Sequence, residues 1–137
     1  MNQETLRWQY RFDHFKRAYF LLQEACEQYG EGKMEQLAKE GMIQRFKVCV
    51  ELAWKTIKDY MEYNHHVFAQ IYPSIVIKEA FAAKLLADGE GWLEALDTRN
   101  KMSHTYDFAK FEVALGEIST LYIQLFGDLY ETLADER

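Results

Sequence analysis

A chain of 137 residues with 49% hydrophobic side chains has the length and composition of one folded domain and excludes a disordered polymer. A domain of this size buries about two-thirds of its unfolded surface without disulfide or metal staples. The net charge of −6 argues against broad, nonspecific nucleic-acid binding, and no apolar run is long enough to span a membrane.

Trp8, Phe12, Phe15, Tyr19, Leu22, Cys26 and Tyr29 are spaced 4-3-4-3-4-3, which predicts a long first helix that Gly30 and Gly32 terminate. Arg7, Arg11, Lys16 and Arg17 lie along it, with His14 among them. By contrast, residues 111–136 carry Glu112, Glu117, Asp128, Glu131, Asp135 and Glu136 and no Lys or Arg. Such runs are either solvated faces or a bias that places any polyanion near the first helix or Arg99. A short segment around Met34 to Lys39 precedes Gly41. A second long helix follows, with Phe46, Val50, Ala53, Trp54, Ile57 and Met61 on one face. It runs out at Asn64-His65-His66. Adjacent histidines point apart on a helix and have no carboxylate or thiol partner at ligand spacing, so no metal site is expected.

Pro73-Ser74 starts a shorter third helix over Ile75 to Leu86. Asp88 caps a fourth, with Gly89-Glu90-Gly91 as its first turn and Trp92, Leu93 and Leu96 on its apolar side. Asp107 caps the last helix, along which Phe108, Phe111, Leu115, Ile118, Tyr122, Leu125 and Leu129 repeat 3-4-3-4-3-4. With no alternating strand segment, the fold expected is all-α. It is a single domain, residues 1–137, forming an up-down antiparallel bundle of about five helices around a four-helix core. Trp8, Phe15, Tyr19, Trp54, Trp92, Ile118 and Tyr122 should be buried. If the third helix counts as a full pass, Arg7, Arg11 and Arg17 lie at the same end as Arg99 and Lys101. Cys26 and Cys49 fall on apolar stripes and read as free core thiols. Leu21, Leu121 and Phe126 widen the stripes, either into a thick core or into an interface between subunits. Without a signal-peptide core or membrane segment, a soluble, cytoplasmic protein is expected.

Arg99-Asn100-Lys101-Met102-Ser103-His104-Thr105-Tyr106 concentrates polar groups at the end of the fourth helix. Arg supplies a charged fork for phosphate oxygens, and His gives and takes protons near neutrality. The alternative is a helix cap plus surface polar residues. At 100° per residue, Arg99 and His104 sit about 140° apart on a straight helix, whereas Asn100 shares a face with His104, and Arg99 with Ser103 and Tyr106. Convergence of Arg99 and His104 therefore needs a loosened last turn or a second copy of the motif. Acidic residues do not cluster around the motif, which fits a site without Mg²⁺. The Gly-Ser and paired-Asp pattern of a nucleotidyltransferase is absent from the chain.

This pattern resembles the HEPN superfamily of small helical proteins, whose motif is Arg, a polar residue, a short spacer and His. Phe46 to Tyr60, Val76 to Phe81 and Asp88 to Leu93 resemble one branch of it, the nucleotidyltransferase substrate-binding proteins, over roughly residues 6–130. The resemblance implies a homodimer with two motifs facing one cleft and a minimal nucleotidyltransferase as partner. It implies a metal-independent ribonuclease toxin in which Arg99 and His104 are catalytic, Asn100 and Ser103 support them, and no cofactor is used. Arg99 would bind the scissile phosphate and His104 would move a proton. Tyr106 matches the tyrosine that receives a nucleotidyl group from the partner enzyme; alternatively it anchors the turn. The competing implication is a non-catalytic subunit that binds nucleotide or substrate for the partner, with RNA or nucleotide as the ligand.

Overall fold

The computed structural model describes residues 3–105 and 107–137. Its helices are α1 (Gln3–Gly30), α2 (Gln36–Tyr63), α3 (Pro73–Ala82), α4 (Gly89–Met102) and α5 (Phe108–Glu117). The last continues through a π-helical turn, Ile118–Tyr122, into α6 (Ile123–Ala134). Among the described residues there is no strand.

Contacts at the helix ends fix the topology. Arg11 on α1 pairs with Asp59 near the end of α2 at 3.0 Å, while Arg45 near the start of α2 donates to the Leu21 carbonyl at 2.8 Å. The two helices are therefore antiparallel. The α5–α6 rod returns along α1, with Phe126 edge-on to Phe15 and Arg137 gripping Asp13 at 2.9 Å. It is antiparallel to α4, since Trp92 meets Phe126 and Thr98 meets Tyr122. Thus α1, α2, α4 and α5–α6 form the expected four-rod up-down bundle, and α3 is a brace between α2 and α4.

Because α3 is too short to cross the bundle, α4 starts at the end where α2 finished. Its C-terminus then lies at the opposite end from Arg7 and Arg11. Arg11 is paired with Asp59, and Arg7 borders a hollow beside Asp59 and Glu62. The first-helix cations therefore do not extend the positive region around Arg99.

Several boundaries differ from the sequence reading. Helix α2 begins at Gln36 and runs through Gly41, where a side chain would meet nothing. Helix α3 stops at Ala82, closed by Lys84 N–H to Phe81 and Leu85 N–H to Ala80 at 3.0 and 2.9 Å, with Lys84 at φ 65°. The same double closure ends α2, with His65 at φ 71° in the left-handed position. Glycine usually fills that position, so neither stop carried its ordinary signature.

The π turn explains the largest shift in the core. Beyond Ile118 the buried positions run Tyr122, Phe126, Leu129 and Leu133, while Leu125 is only half-buried. A π turn widens the repeat, so the inward position after Tyr122 becomes Phe126 instead of Leu125. Trp8, Phe15, Trp92, Ile118 and Tyr122 are buried as expected. Tyr19 and Trp54 are only partly buried, and Leu21, Phe108 and Leu121 are exposed. Cys49 is buried and Cys26 partly so, both as free thiols, and burial pushes the Cys26 thiol up to about 11.

Candidate functional site

Asp88 accepts from the Gly91 N–H at 2.9 Å and starts α4, as its sequence position implies. Gly89 is required by packing: a Cβ there would lie 2.8 Å from the Phe81 ring. At the other end, Ser103 N–H bonds to the Asn100 carbonyl at 3.3 Å and His104 N–H to Lys101 at 3.0 Å. These three-residue closures tighten the last turn, and His104 leaves the helix exposed. Asp107 then accepts from Ala109 N–H at 2.8 Å and Lys110 N–H at 3.3 Å, which starts α5.

Between the end of α4 and the outer face of α5 lies an open cleft of about 780 Å³. Asn100, Lys101 and His104 line it from one side, and Lys110, Val113 and Glu117 from the other. Asn100 and His104, one turn apart, share this cleft as their spacing predicts. Arg99 is not among the described residues that line it.

Arg99 turns instead toward α2. Its Nη2 lies 2.6 Å from Glu51 Oε2, and its Nη1 donates to Asn100 Oδ1 at 3.1 Å. Glu51 also accepts from Trp54 Nε1 at 3.1 Å and pairs with Lys55 at 3.0 Å. Partial burial pushes the Glu51 carboxyl up, but the Trp54 and Lys55 hydrogen bonds and the Arg99 and Lys55 charges outweigh it and hold the group below its ordinary value. Ser103 Oγ donates to the Arg99 carbonyl at 3.2 Å and so acts on the helix end. Tyr106 lies outside the described residues. Within the chain the structure thus joins Arg99 to Asn100 and Asn100 to the His104 cleft, but does not bring Arg99 and His104 to one face.

Guanidinium nitrogens only donate, so the Asn100 atom facing Arg99 is its oxygen, and its NH₂ is left for the cleft. With the Lys110 ammonium and the His104 ring, this gives the motif end of the cleft donors suited to phosphate or another anion, while the Lys101 ammonium is paired with Asp97 at 2.9 Å. Glu117 is the acid of the cleft. Its Oε2 accepts from the buried Tyr122 hydroxyl at 3.1 Å, and that hydroxyl lies 3.0 Å from Thr98 Oγ1. Burial pushes the Tyr122 phenol above its ordinary value, and the Glu117 charge adds to the shift, so it remains a donor.

Residue spacing assigns no site role to Glu51, Trp54, Glu117 or Tyr122. Glu51 and Trp54 fall one turn apart on α2, a hint of a shared face, but nothing in the sequence pairs them with Arg99. No group of three or more His, Cys, Asp or Glu among the described residues is arranged to hold a metal ion. No described helix is long and apolar enough to cross a membrane.

Comparison with known proteins follows the same lines. No curated protein sequence is matched. A solved structure from Haemophilus influenzae, described as revealing the fold of a substrate-binding domain of a nucleotidyltransferase, superposes with a TM-score of 0.72 at 22% identity. The match covers 90% of this chain and 98% of that one, and it establishes a common fold. Residues 10–135 match the family described as nucleotidyltransferase substrate binding protein like, and the chain belongs to that family.

Proposed function

We propose that this protein is the substrate-binding partner subunit of a separate nucleotidyltransferase and takes a nucleotide or nucleotidyl-bearing substrate in the α4–α5 cleft. The observation that carries this reading is the gathering of Asn100, Lys101, His104 and Lys110 around one cleft while Arg99 is engaged by Glu51. The Lys110 ammonium, the His104 ring and the Asn100 amide match phosphate chemistry, and Lys101 can join them by exchanging Asp97 for the phosphate. Family membership supplies the partner class. The test is calorimetric titration of the purified protein with ATP. Binding that falls at least about tenfold in both His104→Ala and Lys110→Ala supports the reading, each substitution removing a charge-assisted contact. No binding, or binding indifferent to both substitutions, overturns it.

A second reading is the metal-independent ribonuclease, silenced by nucleotidylation of Tyr106. The Arg99–Asn100 hydrogen bond favours it, since it ties the motif arginine to the residue beside His104. In this reading a homodimer brings the two motifs to one cleft, and release from Glu51 lets Arg99 reach the scissile phosphate. His104 then moves the proton of the 2′-hydroxyl or the leaving oxygen. RNA cleavage by the purified protein, lost in His104→Ala and unaffected by chelator, would support this reading over simple binding. Both readings concern a protein acting in the cytoplasm.

A further inference from the structure

Glu117 is the carboxylate of the cleft, and of the cleft cations Lys101 feels its charge but is paired with Asp97 at 2.9 Å. Lys110 and Glu117 stand two turns apart on the same face of α5, about 10 Å along the helix axis. His104 and Asn100 face the cleft from the motif side. Glu117 is held from behind. Tyr122, which is 1% exposed, donates to its Oε2, and Thr98 secures the Tyr122 hydroxyl. The π turn begins at the residue after Glu117 and carries Tyr122 into the core at the right height to make that bond. A carboxylate so fixed has acceptor lone pairs and no donor, whereas the polar groups at the motif end donate.

We propose that Glu117 is the specificity-determining residue of this cleft, accepting a hydrogen bond from the exocyclic amino group of a nucleotide base whose phosphates lie toward Lys110 and His104. The inference rests on the nucleotide-binding reading above and adds the part of the ligand that the cations do not read. Adenine N6 and cytosine N4 present donors to such a carboxylate, while hypoxanthine and uracil carry at that position a keto oxygen that repels it and can donate only through the adjacent ring N–H, which requires the base to shift. Tyr122 and Thr98 are positioning residues that set the carboxylate.

The test compares ATP with ITP, and CTP with UTP, by calorimetric titration of the full chain. Wild-type protein should bind each amino nucleotide at least about tenfold tighter than its keto counterpart, because the mismatch leaves a carboxylate against an acceptor. Glu117→Gln keeps an oxygen for the Tyr122 hydroxyl, so the fold is retained, but can turn its NH₂ toward a keto oxygen. Both ratios should fall to about one. Tyr122→Phe leaves the carboxylate in place but unheld and should give intermediate ratios, a result that loss of phosphate contacts would not produce. Unchanged ratios in Glu117→Gln, or equal binding of all four nucleotides by the wild type, overturn the assignment of Glu117 and leave the nucleotide-binding reading standing. Failure of every nucleotide to bind the wild type overturns both.

Discussion

Arg99 and Glu51 meet between α4 and α2 at 2.6 Å, and this contact sorts the motif into two groups facing different ways. The arginine braces the bundle, and its second nitrogen fixes the Asn100 amide so that the NH₂ is offered to the cleft. Removing either partner is therefore a structural as well as a functional change. Arg99→Ala should lower stability by about 1 kcal/mol, the upper range for a partly exposed ion pair. His104→Ala, at an exposed turn, should stay within about 0.5 kcal/mol. Urea denaturation of both variants and of Glu51→Ala, with the double mutant closing the cycle, measures this directly. A coupling energy near zero between positions 51 and 99 would remove the bracing role.

The same pair predicts an acid limit. Glu51 is held below its ordinary value of 4.5 in the folded protein, so between the two values the unfolded chain binds more protons. Its contribution to stability is fully present above that ordinary value and is lost as pH falls through the lowered one. Wild type should thus lose stability more steeply than Glu51→Gln as pH falls below 4.5. Identical pH slopes for the two proteins would show that the carboxylate is not stabilised by its neighbours.

Much of this architecture was legible because amphipathic period and capping chemistry are local. The α1 repeat, the Asp88 and Asp107 caps and the four-rod core follow from residue spacing. The Phe126 register did not, because no glycine, proline or other breaker marks the π turn that shifts it. The end of α3 was similarly hidden by Lys84 taking a position usually held by glycine, whereas α2 ends at Tyr63, where Asn64-His65-His66 placed its stop. At the site, spacing placed Asn100 with His104 and separated His104 from Arg99. Glu51 is 48 positions from Arg99 in the chain, and only the packing of α2 on α4 joins them.

Asp107 connects the fold to the cleft. Its side chain satisfies two N–H groups of the first turn of α5, including that of Lys110, a cleft residue. Asp107→Ala should cost about 1 kcal/mol in global stability, the usual loss for an N-cap. It should also fray the turn that positions Lys110, weakening ATP binding more than Asp88→Ala does, although both substitutions remove a cap. Equal effects on binding from the two cap variants would show that α5 holds its first turn without Asp107.

The choice between binding subunit and ribonuclease turns on what Arg99 does when RNA is present. A nuclease needs the guanidinium at the phosphate, where it would stabilise charge building on the oxygens. In the folded chain that group is occupied by Glu51, so a cleaving enzyme must exchange an internal carboxylate for the phosphate or draw an arginine from a second copy. If Glu51 restrains a nuclease, Glu51→Gln should raise cleavage, while Arg99→Ala and His104→Ala abolish it and chelator leaves it unchanged. Mixing Arg99→Ala with His104→Ala protein should restore part of the activity if two protomers share the site. Partner nucleotidyltransferase with ATP should then label wild type but not Tyr106→Phe, which keeps the ring and removes the acceptor oxygen. A wild-type protein that binds ATP through His104 and Lys110 yet cleaves no RNA, with or without the Glu51 restraint, leaves the binding subunit as the function and retires the nuclease.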